Sequence, residues 1–406
     1  MLRHETPIPA PFAVVRGVST RTWRSTILVP VLFSCIAIML LVLMKRPEAM
    51  THDFLNLYTG ASFARDGRIA DLYNPETVLA REQEFVKGLA RVTVFSRPPW
   101  YALILAPMSM LPYGAGAFGL WVFLQMSLLG LSWVWAVRRF GRDVIRYTCL
   151  YLPPMTGIAY GQDCLVPLCI LIAGYIVANK KRDFVSGLVL GMGLFKFHLF
   201  CLWPPILAVN KRWKMLSGMA AAVVLEFLLS LSLSGTSGLQ AYVRFLLKGS
   251  SALHPEPRKV VSLWGILANL GFGQGAVALL CVIAVVAITL LQSRCLSTEQ
   301  VFIIATIGSL AIAPHIYLYD ATILLLPIWL LIFTSNDQKA STGAELFAKP
   351  YAFMGLLFLP PPLLAIGGLS VLFVLGAALH SLPQHANAFW RPRLALKPSA
   401  ADRGSN

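Results

Sequence analysis

Several ionisable side chains of this sequence stand inside long apolar runs, where a charge needs a partner or a ligand. Lys196 is enclosed by Leu194-Phe195 and Phe197, and His198 follows at once. A lysine and a histidine so close together could hold an anion, whereas an interfacial lysine could instead extend its ammonium group to the membrane surface. We favour the anion site, because the pair falls at the expected tip of a helical hairpin.

Five further ionisable residues have comparable surroundings. His315 follows a proline and could either bind an anion or bond a helix-terminal carbonyl. Asp320 and Asp163 are typical of helix caps or of structural partners for a buried cation. Glu226 stands alone in an apolar run, and we interpret it as structural or as facing a cavity. Arg97 precedes two prolines and could simply mark the membrane boundary.

Asp53 occurs in the short polar sequence Thr51-His52-Asp53-Phe54. Taken alone, it is best interpreted as the N-cap of a helix that begins at Phe54, a role that aspartate often fills. The alternative is a carboxylate at the membrane surface that faces a cavity and accepts protons.

The elements that must position these residues follow from the composition. The 406 residues are 57% hydrophobic and 13% charged, against about 25% charged in an average soluble protein. This excludes soluble enzymes, disordered chains and disulfide scaffolds, and predicts an all-α polytopic membrane protein. The net charge of +16 resides in short clusters between apolar runs, which favours contact with anionic membrane lipids and argues against a nucleic-acid partner.

The chain divides into a membrane domain and two tails. Residues 1–25 are predicted to be a cytoplasmic N-terminal tail, because they are basic and precede an uncharged run over 26–44. The membrane domain extends over residues 26–380. It includes an extracytoplasmic loop at 45–97, which holds seven of the 18 acids. Residues 381–406 are basic and irregular, and we expect them to be disordered.

Apolar periodicity predicts roughly 10–12 membrane segments. After the first span at 26–44, the candidates are 98–112, 115–137, 147–160, 163–178, 184–195, 199–209, 214–233, 275–292, 299–313, 316–334 and 352–379. The sequence Asn74-Pro75-Glu76 predicts a helix start inside the first loop, and residues 235–262 are predicted to be a second polar loop. The basic clusters at 179–182 and 210–214 are expected in the cytoplasm. The basic residues at 138–142 favour the same side, but two crossings between 98 and 137 would place them outside.

Six blocks of the sequence, in order, resemble glycosyltransferase family 87, long listed as a domain of unknown function. The first blocks are Asp53-Phe54 with Tyr58-Thr59-Gly60-Ala61, Gly67 and Leu72-Tyr73-Asn74-Pro75, followed by Pro98-Pro99 with Ala106-Pro107 and Leu111-Pro112. The later blocks are Tyr160-Gly161-Gln162-Asp163, Gly187 through Lys196, Lys211-Arg212-Trp213, and Pro314-His315 with Tyr319-Asp320 and Leu324-Leu325. The resemblance covers roughly residues 45–335, and its specificity comes from the order and spacing of the blocks.

The resemblance implies a GT-C helix bundle in the bacterial cytoplasmic (inner) membrane, with an active site that faces the periplasm. It implies transfer of a mannose-like hexose from a polyprenyl-phosphate sugar donor to a lipid or glycan acceptor, with inversion of the anomeric centre. Asp53 would be the catalytic base, and Lys196, His198 and His315 would bind the donor phosphate. Supporting roles fall to Arg97, Tyr58, Gln162, Asp163 and Asp320. Neither a metal ion nor another cofactor is expected, because the lysine and the histidines can stabilise the departing phosphate.

This sequence departs from the family pattern at three positions. Asp163 replaces the more usual asparagine, Lys196 is followed by Phe-His, and Arg97 stands where an aromatic residue is commoner. Two other functions suit the buried charges. One is a transporter or lipid flippase, although the large first loop has no counterpart that would indicate an inverted repeat. The other is a non-catalytic membrane relative.

Overall fold

The described part of the protein consists of helices joined by turns and short loops. The computed structural model describes residues 53–90, 92–93, 95–142, 144–145, 151, 153–248, 260–272, 275–333, 371–372, 375–376 and 378. The predicted tails at 1–25 and 381–406 and the first span at 26–44 lie outside these residues, as does most of the last span at 352–379. Within them, no β-strand occurs.

Thirteen α-helices and four 3-10 helices make up the described chain. The first α-helices are α1 (Asp53–Arg65), α2 (Pro75–Phe85), α3 (Pro99–Leu105), α4 (Ala115–Phe140), α5 (Pro153–Tyr160), α6 (Leu165–Asn179) and α7 (Asp183–Gly191). The others are α8 (Trp203–Val209), α9 (Trp213–Lys248), α10 (Leu263–Asn269), α11 (Ala276–Gln292), α12 (Thr298–Ile312) and α13 (Leu325–Phe333). The 3-10 helices are Ile69–Tyr73, Ala106–Met110, Met192–Leu199 and Leu318–Leu324.

Among the described helices, two, α4 and α9, are long and apolar enough to cross a membrane, by length and composition. Apolar side chains on the outside of α9 and α11 remain exposed, among them Leu225 at 62% and Leu280 at 65%. Soluble monomers seldom expose such large contiguous apolar faces. The described part of the molecule therefore suits a lipid surrounding.

The first loop forms a compact helical unit. Asn74 caps α2, since its side-chain oxygen accepts hydrogen bonds from the backbone nitrogens of Glu76 (3.1 Å) and Thr77 (3.4 Å). Pro75 occupies the first turn, as the sequence predicts. On α1, Phe54 and Tyr58 pack with other aromatic rings of the loop, which fixes this helix, and Asp53 at its start, against the rest of the protein.

The predicted membrane span at 98–112 is not one continuous α-helix. Helix α3 has only 7 residues, and the chain continues as a 3-10 helix over Ala106–Met110. Together they extend about 20 Å, against about 30 Å for a bilayer core. Pro107 lies at the change of helix type, where its ring removes a backbone donor. Trp100 and Met108 pack into the aromatic core of the first loop, so this segment belongs to the loop unit.

The predicted polar loop at 235–262 is also partly wrong. Helix α9 continues to Lys248 and changes direction at Gly235, whose backbone has φ 65° and ψ −176°. Glycine reaches this conformation without steric cost, so the chain bends sharply here and a second helical part follows. After the bend, Gly238 lies against the backbone of Ala70 in the first loop. The sequence predicted the end of a helix near Gly235 but did not predict the helical part that follows it.

Three basic clusters of the sequence lie at one end of the bundle. Phe184 at the start of α7 and Gly218 near the start of α9 are in close backbone contact, so these helices run in parallel. The clusters at 179–182 and 210–214, which precede them, are therefore neighbours. The cluster at 138–142 belongs with them, because Arg139 interacts with Tyr175 in the last turns of α6. Their shared end agrees with the charge rule, which assigns all three clusters to the same side.

Candidate active site

Four buried charges form one network at the other end of the bundle. Arg97 binds Asp163 through two hydrogen bonds, Nη2 to Oδ1 at 2.8 Å and Nε to Oδ2 at 3.1 Å. Lys196 Nζ lies 2.8 Å from Asp163 Oδ1 and 3.1 Å from Asp320 Oδ1. All four side chains are at most 7% exposed. Two cations and two carboxylates thus balance each other in the interior, where an unpaired charge would be costly.

Two of these residues correct the simpler interpretations of the sequence. Arg97 does more than mark a membrane boundary, because its guanidinium is buried against Asp163. Lys196 does not extend to the surface, because its ammonium group is enclosed by two carboxylates. The interpretation of Asp163 and Asp320 as structural partners of a buried cation agrees with these contacts. A short polar sequence cannot reveal such pairs, since the partners of Lys196 are remote in the chain.

Local backbone geometry positions the side chains of the charged network. Asp163 follows Gly161, which has φ +72° and leaves no room for a Cβ atom, since one would lie 2.5 Å from Phe54 Cβ. The Gly161 carbonyl accepts a hydrogen bond from Trp121 Nε1 at 2.9 Å. Lys196 lies at a kink of its 3-10 helix, with φ −114° and ψ 60°. Asp320 is the third residue of the 3-10 helix Leu318–Leu324, and its Oδ2 accepts a hydrogen bond from the N-cap nitrogen, Tyr317 N, at 3.1 Å.

Asp53 adjoins this network without being part of an ion pair in it. Gln162 connects the two, since it forms a side-chain hydrogen bond with Asp53 and its Oε1 accepts from Arg97 Nη2 at 3.0 Å. Gln162 Nε2 also donates to the Tyr319 hydroxyl at 3.2 Å. Asp53 is half-buried. Burial raises the pKa of its carboxyl above the usual range, and the bond from Gln162 and the charges of Arg97 and Lys196 oppose that shift.

Two histidines lie next to the charged network. The rings of His198 and His315 are 6.2 Å apart and nearly perpendicular. His198 Nε2 is buried and has no hydrogen-bond partner among the described residues. Because His198 also interacts electrostatically with Asp320 and Lys196, the structure brings the predicted lysine and both histidines together.

Tyr58 does not join this group. It is one and a half turns from Asp53 on α1, which directs the two side chains to different sides of the helix. Its hydroxyl donates to the Leu111 carbonyl at 2.7 Å, and its ring packs on Phe85 and Tyr113. Tyr58 therefore stabilises the packing of the first loop. It supports the site by positioning this loop and has no contact with the charged network.

The polar groups at this end combine an acceptor of protons with donors for an anion. An ammonium group has three hydrogens, and the two carboxylates bound to Lys196 account for two of them. Tyr319 lies on a further side of the ammonium, with its ring centroid 5.8 Å from Nζ. Among residues that the structure describes, no group of three or more His, Cys, Asp or Glu side chains is arranged to hold a metal ion.

Comparison with known proteins identifies the family. The chain matches the model of glycosyltransferase family 87 over residues 95–316. Arg97, Asp163 and Lys196 lie inside this range, as do both histidines, whereas Asp53 and Asp320 lie outside it. No curated protein and no solved structure matches the chain significantly. The match covers more than half of the sequence and confirms the resemblance seen in its motifs: the chain belongs to glycosyltransferase family 87.

Proposed function

We propose that this glycosyltransferase moves a mannose-like hexose from a polyprenyl-phosphate donor to an acceptor hydroxyl, by a single inverting displacement at the extracytoplasmic face of the bacterial inner membrane. The observation that carries the proposal is the convergence of Asp53 with Lys196, which is remote from it in the chain and interacts in turn with the nearby His198. A carboxylate beside cationic and imidazole donors is what this displacement requires.

In the proposed step, the acceptor oxygen attacks the anomeric carbon while Asp53 accepts its proton. The bond between that carbon and the phosphate oxygen breaks, and the electron pair leaves with the polyprenyl phosphate. Because bond formation and cleavage occur on opposite faces of the sugar, the anomeric configuration inverts. A second carboxylate is not needed, since no covalent sugar-enzyme intermediate has to form and be hydrolysed.

Charge grows on the leaving phosphate during this step, so groups that hold it more tightly in the transition state accelerate transfer. Lys196 contributes its third N–H, and the Asp163 and Asp320 carboxylates keep its ammonium group fixed. His198 Nε2, buried without a partner among described residues, supplies a hydrogen bond for a phosphate oxygen. His315 stands beside it and completes the proposed phosphate site.

The orientation of the bundle supports an extracytoplasmic site. Helix α6 begins next to Asp163 and ends at Asn179, where the basic cluster at 179–182 starts, and this helix separates Asp163 from the cluster by about 22 Å. The clusters at 138–142 and 210–214 lie at that same end. Lys and Arg concentrate on the cytoplasmic side of membrane proteins. The proposed active site is thus at the opposite, periplasmic side.

A direct test of the proposed activity uses the purified full-length protein in lipid nanodiscs. We expect it to transfer a hexose from a polyprenyl-phosphate hexose to an added glycolipid or oligosaccharide acceptor, with release of polyprenyl phosphate. The anomeric configuration of the product, measured by NMR, should be opposite to that of the donor. Transport of the intact donor between leaflets without product would favour the flippase alternative and contradict the proposal.

Cys295 offers a test of orientation. It is exposed in the turn between α11 and α12, and Asn210 joins this turn to the basic end through bonds to Ser293 O (2.7 Å) and Leu296 N (2.7 Å). In a variant that keeps only this cysteine, we expect a membrane-impermeant maleimide to label it in inverted vesicles but not in intact spheroplasts.

Two variants complete the labelling experiment. Cys295→Ser on the same background should abolish the signal. Asp66→Cys, placed in the exposed loop at the other end, should reverse the labelling pattern. Labelling of Cys295 from the outside would contradict the proposed orientation.

A further inference from the structure

Glu226 is a charged residue that the proposed displacement does not use. It lies on the first part of α9, where its neighbours on both sides in sequence are exposed and apolar: Val223, Val224, Leu225, Phe227, Leu228 and Leu229, at 39–62% exposure. In a membrane this helix face contacts lipid. Yet Glu226 Oε1 is buried and has no hydrogen-bond partner among the described residues. A carboxyl group at such a position calls for a ligand or a function.

Aromatic residues extend from Glu226 towards the charged network. The bend at Gly235 folds the second part of α9 over the first loop, and Tyr242 on this part interacts electrostatically with Glu226. The ring of Tyr242 lies 5.0 Å from that of Tyr73. The Tyr73 hydroxyl in turn donates to the Arg97 carbonyl at 2.6 Å. These groups connect the lipid-facing side of α9 with the active site.

We propose that Glu226, Tyr242 and Tyr73 form a binding subsite for the sugar ring of the lipid-linked substrate. The inference rests on the proposed function and names the place where the sugar of its donor is bound. The polyprenyl chain stays against the apolar outer face of α9, and the sugar is held at the edge where the bent helix meets the first loop.

The chemistry of the three side chains fits a sugar ring. A pyranose presents hydroxyl groups around its rim and C–H groups on its faces. Aromatic rings carry negative charge on their faces and attract such C–H groups. A carboxylate accepts hydrogen bonds at both oxygens, so it can bind two neighbouring hydroxyls. A sugar hydroxyl would give the buried oxygen of Glu226 a hydrogen-bond donor and offset the cost of its burial.

The charge of the subsite also distinguishes the sugar from the phosphate. A carboxylate repels a phosphate monoanion or diester, so the headgroup phosphate is not the group that Glu226 holds. Phosphate binding belongs to Lys196 and the histidines, whereas Glu226 recognises hydroxyl groups. The subsite therefore predicts selectivity for polyprenyl phosphate that carries a sugar over the sugar-free lipid.

Binding measurements on Glu226→Leu test this inference. An inactive Asp53→Asn background prevents turnover, and the probes are a polyprenyl-phosphate hexose and the same polyprenyl phosphate without sugar. We expect Glu226→Leu to weaken binding of the sugar lipid by about tenfold and to leave binding of the sugar-free lipid unchanged. Its melting temperature should be equal or higher, because leucine suits a lipid-facing helix.

Ser232→Leu is the matched control, since Ser232 lies exposed on the same helix and its hydroxyl only contacts the Leu229 carbonyl, at 2.8 Å. It should bind both lipids as the background does. Glu226→Gln, which keeps the shape of the side chain, should weaken binding of the sugar lipid in the same direction.

Equal weakening for both lipids, or no weakening in either Glu226 variant, would overturn the subsite. Its failure is distinguishable from failure of the proposed function. A wild-type protein that transfers sugar although Glu226→Leu binds the donor normally would reject the subsite alone. A protein that discriminates the two lipids through Glu226 but transfers nothing would keep the subsite and reject the transferase mechanism.

Discussion

Asp53→Asn should reduce sugar transfer by about 10²–10⁴-fold, which is the usual contribution of a general base. The amide keeps the size of the carboxyl group and can still bond Gln162, the contact that joins Asp53 to the buried network. It cannot accept a proton from the acceptor hydroxyl. Donor binding and folding should therefore be retained, so that the loss appears in kcat with little change in KM.

Asp66→Asn is the matched control, because Asp66 lies in the same loop, is exposed, and forms only surface ion pairs with Arg65 and Arg81. Exposed pairs of this kind contribute about 0–1 kcal/mol to stability. Initial rates should match the wild type for Asp66→Asn and fall to near background for Asp53→Asn. A fully active Asp53→Asn protein would remove this residue from the mechanism.

The pH dependence of the transfer rate should reflect the ionisation of the Asp53 carboxyl. Burial raises the pKa of its carboxyl, and only the ionised form can act as a base. Transfer should thus fall as the pH drops through that raised pKa, with an acidic limb displaced upwards from the value of about 3.9 of a free aspartate. The charges that face Asp53 are Arg97, Lys196 and Asp320.

Glu82 is the group that could be confused with Asp53 in such a profile. Burial raises its pKa to about 7, and it accepts hydrogen bonds from the backbone and hydroxyl of Thr93, in the segment that leads to Arg97. Glu82→Gln removes this titration. We expect the acidic limb to persist in Glu82→Gln, and a limb that vanishes there would assign it to Glu82.

The helices of the bundle were largely visible in the sequence, because hydrophobic runs report burial in lipid or in the core directly. The Asn74 cap and the spans that became α4, α6 and α12 agree with their predicted positions within a few residues. The errors occurred at a proline and a glycine, because such a residue can end a helix, change its type or be followed directly by another helix. In the predicted span at 98–112 the chain changes to a 3-10 helix near Pro107, and beyond Gly235 a second helical part follows where the prediction had a loop.

The residues of the candidate site were identifiable as unusual, but their pairing was not. A charge in an apolar run signals that it needs a partner, yet nothing local tells whether that partner is a ligand or another side chain. The distance in sequence between Lys196 and Asp320 illustrates this. Only the fold shows that Lys196 is already bound to two carboxylates. Replacing Lys196 should therefore lower stability as well as activity.

Lys196→Met should destabilise the protein strongly, in addition to slowing transfer. It removes the cation that Asp163 and Asp320 share and leaves their buried carboxylates with only Arg97 opposite them. Breaking a buried ion pair from one side costs about 3–5 kcal/mol. We expect a clear drop of the melting temperature in detergent, whereas Lys180→Met, at the exposed basic end, should have little effect.

A double variant separates the structural role of Lys196 from its proposed action on the donor phosphate. Lys196→Met with Asp320→Asn removes one charge of each sign, so the remaining pair of Arg97 and Asp163 is balanced. The side-chain oxygen of the introduced asparagine can still accept from Tyr317 N, the bond that starts the 3-10 helix. Most of the lost stability should return, since no uncompensated charge stays buried.

Transfer by this double variant decides the function of the lysine. If Lys196 stabilises the departing phosphate, the stable double variant should remain slow and should bind the donor weakly, because no other ammonium group takes its place at the site. Wild-type rates in a stable double variant would instead show that Lys196 only neutralises two carboxylates. The phosphate would then have to be held by His198 and His315 alone, and their alanine variants would lose all donor binding.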